Sequence, residues 1–281
     1  MRQLFLFSLL LLSSILLQSQ SNPPRLIIRG DDMGFSHSGN EALIKCYKEG
    51  IESSIEIIVP SPWFPEAVKL LQANPTVDVG IHLAITSEWE NVKWRPLTDC
   101  KSIEDSGGYF FPMVFPNKNY PARSISENKW TIQDIEKEFR AQIELALKKI
   151  PRISHLSSHM GCTGLSADVR QLTKRLAAEY KIPVDPEPAV NYIGFDGRHK
   201  TAAEKREAFL RMLDKLEAGK TYIFVEHPGL DDAELRAIYH IGYEDVASDR
   251  QGVTDLYTDP AIKARIKEKG IQLIAYRDLA K

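Results

Sequence analysis

Residues 25–34 read RLIIRGDDMG, an apolar run that ends abruptly in two adjacent acids bracketed by glycines. Such a run is typical of a buried β-strand that leads into a loop. Gly30 and Gly34 allow the backbone to bend sharply around the acids. Residues 40–49 then carry apolar side chains at helical spacing, and Gly50 is placed to end that helix. The segment therefore predicts the local order strand, loop, helix.

The same order returns along the rest of the chain. Further strand-like segments are residues 54–59, 77–83, 153–158, 182–184, 221–226 and 272–276. Further helical segments are residues 65–73, 131–149, 167–180, 201–217 and 259–269. Strands that alternate with helices predict a parallel sheet of the α/β class. With about seven such strands, we expect a single TIM-like (β/α) barrel domain over residues 22–281, with a Pro-, Gly- and aromatic-rich insertion at 88–130.

The first 21 residues predict a secretory signal peptide that is removed from the mature protein. Arg2 precedes an apolar run at residues 4–17, and a small polar stretch follows it. The competing interpretation is a membrane anchor, but the run is shorter than the roughly 20 residues that span a bilayer. We therefore expect an exported protein, either periplasmic or secreted.

Charge and cysteine content exclude two classes of interaction. With 36 Lys and Arg against 38 Asp and Glu, the net charge of -2 offers no basic field for nucleic acid. The three cysteines, an odd number without paired spacing, indicate no disulfide framework. The sequence does not indicate an oligomeric state.

Polar residues that suit metal chemistry follow four of the predicted strands. Asp31 and Asp32 follow the first strand, His82 ends the third, His159 follows residues 153–158, and His227 follows the strand that ends at Glu226. The carboxyl ends of parallel strands meet on one face, so these side chains are expected to form one site.

Each residue type has a role in hydrolytic metal chemistry. Of two adjacent carboxylates, one can bind a metal while the other takes a proton from water. His159 is preferred over His155 as a ligand because it lies at the loop end of its strand, which leaves His155 a supporting role. His227 is suited to protonate a leaving amine. The mixed nitrogen and oxygen set suits zinc and tolerates other divalent ions.

The ordered set of motifs at residues 31–34, 80–83, 154–159 and 226–228 resembles the YdjC/ChbG carbohydrate deacetylase family. This resemblance implies a TIM-like barrel and the removal of acetyl groups from N-acetylated oligosaccharides. It also implies one divalent ion, Zn or Mg, held by Asp32, His82 and His159. By position, Asp31 is then the base and His227 the proton donor.

Two positions depart from the family pattern. Ser157 stands where members usually carry Asp, and Gly161 stands where they often carry His. The loss of an acidic group behind a ligand predicts weaker metal affinity or a different metal preference. It also leaves open a substrate that differs from the substrate of better-known family members.

Two tryptophans in the aromatic insertion, and three rival functions, are the remaining predictions from the sequence. Trp89 and Trp94 are candidate platforms for sugar rings, or they simply pack the insertion onto the barrel. Three rival functions remain open: an O-acetyl esterase, a non-sugar amidase, and a carbohydrate-binding protein that has lost catalysis.

Overall fold

Strands and helices alternate through the described part of the chain, residues 22–183 and 190–280 of a computed structural model. In chain order they are β1 (Arg25–Met33), α1 (His37–Glu49), β2 (Ser54–Ile57), α2 (Phe64–Ala73), β3 (Asp78–Leu83), α3 (Ile132–Lys149), β4 (His155–Ser158), α4 (Ala167–Glu179), β5 (Asn191–Ile193), α5 (Ala202–Asp214), β6 (Thr221–Glu226), α6 (Val246–Thr258), α7 (Pro260–Glu268) and β7 (Gln272–Leu273). The predicted signal peptide, residues 1–21, lies outside the described residues.

The strands form one parallel sheet in the order β4-β3-β2-β1-β6-β5. β1 lies at its centre and pairs with β6 through Arg25 to Gly30. On its other edge, β1 pairs with β7 near its first residues and with β2 near its last residues. The seven parallel strands of the described residues, with their helices, confirm the α/β prediction.

The prediction of a closed barrel is not confirmed, because the described sheet is an open half-barrel. β4 and β5 are the two ends of the strand order, and the described residues show no pairing between them. A cavity of about 630 Å³ lies between these strands, with Leu156 of β4 and Tyr192 of β5 among its lining residues. β5 has only three residues and its side chains are largely exposed. A strand so short offers little backbone to pair across the gap.

Four elements differ from the sequence prediction, and one of them is β5, for which no strand was predicted. Residues 182 and 183 are not a strand, since Pro183 has no backbone N–H for a ladder, and Val184 lies outside the described residues. The strand predicted at 272–276 is reduced to β7. Helix α6 was missed because β-branched residues and a central glycine lower its intrinsic helix preference.

Side-chain alternation along β1 separates two environments. Leu26 and Ile28 are buried against the helices. Ile27 points to the opposite face, where it packs with Ile223, Ile274 and Tyr276. Since strand side chains alternate, Arg29 and Asp31 continue the face of Ile27. The inner face of the sheet is therefore apolar at the start of β1 and charged at its end.

Local capping defines where several helices begin. Ser36 accepts a hydrogen bond from the Gly39 backbone at the start of α1. Thr201 and Glu204 form a reciprocal capping box at the start of α5. Such caps pair N–H groups that have no partner inside the helix.

Residues 84–130 contain no α-helix and no named strand, which confirms the predicted irregular insertion. The insertion packs against residues 239–241: the Glu90 backbone bonds to Tyr239, and the Tyr120 hydroxyl bonds to the Ile241 backbone.

Among the described residues every helix is too short or too polar to cross a membrane. The three cysteines are buried free thiols.

Glu52, between α1 and β2, is a buried carboxyl group outside the charged face of the sheet. Neither of its oxygens has a hydrogen-bond partner among the described residues. Burial, with the charge of Asp31 adding to it, raises the pKa of Glu52 well above its ordinary value. The folded protein therefore holds this group neutral at pH values where the unfolded chain ionises it.

We expect Glu52→Gln to become increasingly stabilising relative to wild type as pH rises from 5 to 8. A raised folded-state pKa gives stability below the unfolded pKa that is lost at higher pH, by up to about 1.4 kcal/mol per pH unit. The glutamine cannot ionise and escapes this loss. Urea unfolding of both proteins at pH 5, 6.5 and 8 measures the difference, and a difference that is constant with pH would contradict the assignment.

Candidate metal centre

An extra residue near the end of β1 places both aspartates on the same side of the sheet. Between Gly30 and Met33 the register of β1 advances three residues while β2 advances two. Asp32 accordingly has a positive φ of 69°, which aspartate tolerates better than most residues. The His82 Nε2 atom lies 3.6 Å from Asp31 Oδ2 and 3.6 Å from Asp32 Oδ1. In a regular strand the two carboxylates would face opposite sides.

The structure brings together the three residues predicted to hold a metal. Asp32, His82 and His159 are buried, and each offers a ligand atom within 4.8 Å of the others. Asp32 Oδ1 is buried without a hydrogen bond, although His159 Nδ1 lies 3.2 Å away. A carboxylate oxygen that faces two imidazole nitrogens fits a divalent cation.

Arg250 holds the other oxygen of Asp32, and sequence reasoning missed this residue. Its Nη2 atom donates to Asp32 Oδ2 at 2.9 Å, and its guanidinium lies over the rings of Phe35 and Trp89. Burial alone would raise the pKa of Asp32, but His227, His159 and Arg250 outweigh it and hold that pKa well below the usual range. Asp32 therefore stays ionised. No local signal marked Arg250, because it lies on the helix that was not predicted.

Asp31 is clamped by Arg29, two residues earlier on the same face of β1. The guanidinium donates from Nε to Oδ1 at 2.5 Å and from Nη2 to Oδ2 at 2.8 Å. Arg29 Nη1 also donates to the Tyr276 hydroxyl at 3.1 Å. The sequence did carry a signal for this clamp: Arg29 is a charged residue inside an apolar strand, two positions before Asp31 and therefore on the same face.

Glu88, at the start of the insertion, supports His159. Its Oε2 atom lies 3.0 Å from His159 Nε2, while Nδ1 of the same ring faces Asp32. Burial alone would lower the pKa of His159, but Glu88 and Asp32 outweigh it and raise that pKa to about 10. The insertion thus contributes directly to the centre, a role that sequence reasoning did not assign to Glu88.

His82 has a different environment. Burial lowers the pKa of His82 to about 4 despite the nearby Asp31, so the ring is neutral at pH 7. Its Nδ1 atom lies 2.8 Å from the Ser157 hydroxyl, which in turn donates to Glu56. A neutral ring with Nδ1 engaged elsewhere leaves Nε2 directed at the aspartates.

His155 has the supporting position that the sequence suggested. Its Nε2 atom lies 2.7 Å from Glu56 Oε1, and its ring stacks on Tyr276 with centroids 3.6 Å apart. Burial alone would raise the pKa of Glu56, but His155 and Arg29 outweigh it and lower that pKa to about 2. Glu56 is thus a buried carboxylate close to the cluster of Asp32, His82 and His159.

His227 provides the exposed side of the centre. Its Nε2 atom lies 3.8 Å from Asp32 Oδ2, and 39% of its side chain is exposed, against 2% for Asp32. Among the residues predicted for chemistry, it alone has substantial access to solvent.

Trp89 and Trp94 do not present open faces for sugar rings. They are 1% and 3% exposed. Trp89 stacks on Phe35 with ring centroids 5.6 Å apart, and Trp94 lies 6.2 Å from the ring of His159. Because both indoles are enclosed, the structure contradicts the platform prediction and agrees with the alternative, in which they pack the insertion onto the sheet.

Gly80 of β3 leaves the space in which Glu56 and His155 meet. The three residues pair side by side across β2, β3 and β4. A Cβ atom at position 80 would approach Glu56 Oε2 to 2.2 Å and His155 Nε2 to 2.5 Å. Both partners are fully buried and are bonded to each other, so a shift of either would disturb that contact.

We expect Gly80→Ala to lower the free energy of unfolding by about 1–3 kcal/mol, because it overpacks this site. Gly194→Ala is the matched control, since no atom of the described residues lies within 4 Å of its added Cβ. Urea unfolding measures both. Equal stabilities of the two variants would contradict the close packing above Gly80.

Comparisons with known proteins agree with this architecture. The sequence profile of the family described as YdjC-like protein matches residues 25–268. A carbohydrate deacetylase of Geobacillus stearothermophilus is 26% identical over 269 residues, covering 92% of this chain and 99% of that protein. A carbohydrate deacetylase of Enterococcus faecalis is 26% identical over 273 residues, covering 91% and 98%.

A solved structure extends the likeness to three dimensions. It is described as a cellobiose-phosphate cleavage protein from Enterococcus faecalis V583, and it superposes with a TM-score of 0.73 at 22% identity. The match covers 93% of this chain and all of that one. At this identity the likeness shows a shared fold.

Proposed function

The chain belongs to the YdjC-like protein family, as its motifs predicted, and from that premise we propose that it is a metal-dependent hydrolase that removes acetyl groups from N-acetylated sugars or oligosaccharides. The observation that carries the proposal is the cluster of Asp32, His82 and His159, with ligand atoms within 4.8 Å of one another. The names of the curated relatives support an enzyme that hydrolyses amide C–N bonds.

The donor set favours one divalent ion, Zn or Mg. A divalent ion bound there supplies Lewis acidity, which polarises a carbonyl group and makes water easier to deprotonate. Two neutral imidazoles and one carboxylate complete a set of three protein ligands, which in catalytic sites leaves room for water or substrate. His159 must release a proton to join that set, since its ring is charged between Glu88 and Asp32.

Asp31 is the proposed general base. Arg29 fixes both of its oxygens, and each oxygen retains a second lone pair for the proton of an attacking water. Its Oδ2 atom lies 3.6 Å from the ring nitrogen of the ligand His82, which is close enough to serve a water molecule in the centre.

His227 is the proposed general acid. Its exposed position, on the solvent side of Asp32, gives it access to the amine that leaves the acetyl group. Asp31 of β1 thus accepts the proton of water, and His227, directly after β6, donates a proton to the leaving amine.

We also propose export, based on the character of residues 1–21. The substrate would then be a periplasmic or extracellular saccharide. The mass of the mature protein recovered from the producing cells tests whether these residues are removed.

The test of the function is acetate release from N-acetylglucosamine oligomers by metal-stripped protein, before and after addition of Zn or Mg. We expect release only after metal is restored. Release from O-acetyl esters alone would favour an esterase, release from non-sugar amides alone would favour an amidase, and metal and saccharide binding without release would favour a binding protein.

We expect Asp31→Asn and His227→Ala each to lower kcat by about 10²- to 10⁴-fold while the protein stays folded and binds metal. His199→Ala is the control, because His199 is exposed and outside the centre. Steady-state rates and thermal unfolding compare the three variants. A kcat near wild type for either site variant removes that residue from its role.

A further inference from the structure

We propose that Glu56 on β2 is a positioning residue of the metal centre: acting through Ser157, it holds His82 in the tautomer that presents Nε2 to the ion. The inference rests on the proposed metal site, but it concerns residues that lie behind the ligands. Neither the motifs nor the family pattern pointed to Glu56.

The direction of the hydrogen bonds follows from the partners. Glu56 is a carboxylate, so it can only accept, and it accepts from the Ser157 hydroxyl and from His155 Nε2. With its proton committed to Glu56, the Ser157 oxygen can only accept from His82 Nδ1, 2.8 Å away. A neutral imidazole carries one ring proton, so a ring that donates from Nδ1 to Ser157 keeps the lone pair of Nε2.

The surroundings keep Glu56 ionised and fixed. Its side chain is fully buried, with His155 of β4 bonded to one oxygen and Ser157 to the other. Burial alone would raise the pKa of Glu56, but His155 and then Arg29 of β1 outweigh it. Gly80 supplies the space for the carboxylate between the strands. A buried charge with this many partners is held in one orientation.

This arrangement explains the departure at position 157. The acid expected there would act on the ligand directly, from β4. Here the carboxylate comes from β2, two strands away from β4, and Ser157 transmits its effect to His82 on β3. A carboxylate behind a ligating histidine fixes its tautomer and ring orientation, so the expected loss of metal affinity is offset.

The test is equilibrium zinc binding to the metal-stripped full chain. We expect Glu56→Gln and Ser157→Ala each to weaken binding by about 10- to 100-fold. The amide of Gln can donate to Ser157, which frees the serine proton for His82 Nδ1 and selects the tautomer that blocks Nε2. Ser157→Ala removes the link but leaves the contact between Glu56 and His155.

Relocation of the carboxylate distinguishes positioning from general stability. In the double variant Glu56→Ser with Ser157→Asp, an acid stands directly beside His82, and we expect zinc affinity within about threefold of wild type. Glu52→Gln is the matched control: it also alters a buried glutamate, but one that contacts no member of the relay, and it should bind zinc as wild type does.

A spectroscopic measurement on metal-free protein completes the test. Nitrogen-15 shifts of His82 should show a protonated Nδ1 in wild type and in the double variant, and a protonated Nε2 in Glu56→Gln. Unchanged zinc affinity and tautomer in Glu56→Gln would overturn the inference while leaving the proposed function intact. Failure of wild type to bind zinc or magnesium would overturn both.

Discussion

The centre depends on one extra residue in β1. That residue allows two consecutive aspartates to face the same side of the sheet, where Asp31 meets Arg29 and Asp32 meets two histidines. The distortion costs energy, since a non-glycine residue with positive φ is strained by roughly 1–3 kcal/mol. Pairing with β6 and β2 on both edges holds β1 in place and sustains the strain. Without the bulge, one carboxylate would face the helices.

Burial of so many ionisable groups is tolerated because each charge is matched. Arg29 is paired with Asp31, Arg250 with Asp32, and Glu56 with His155. An unpaired buried charge would be far more costly than any of these pairs. The matched charges also set protonation: His82 is kept neutral by burial, while two carboxylates keep a proton on His159. Two side chains of the same type in one cluster therefore differ in protonation.

The long insertion is part of the site rather than an appendage. Glu88 reaches His159, and Trp89 packs over Arg250, which in turn holds Asp32. The aromatic side chains enclose the centre and remove water from the charge pairs, which strengthens them. Access remains on the side of His227. The insertion thus links an irregular surface segment to the orientation of Asp32 and His159.

The sequence by itself determined the strand-and-helix alternation, the family, and the residues that converge at the carboxyl ends of the strands. These are local or positional properties: apolar periodicity marks an element, and parallel strands bring their ends together whatever their spacing in the chain. Only the tertiary structure decided the open sheet, the burial of Trp89 and Trp94, and the supporting groups Arg250, Glu88 and Glu56. Each of these supporting groups lies far from its partner in sequence, so its role depends on how separate elements pack. A buried carboxylate two strands away from its serine leaves no pattern in the chain, because the contact exists only after β2, β3 and β4 have come into register.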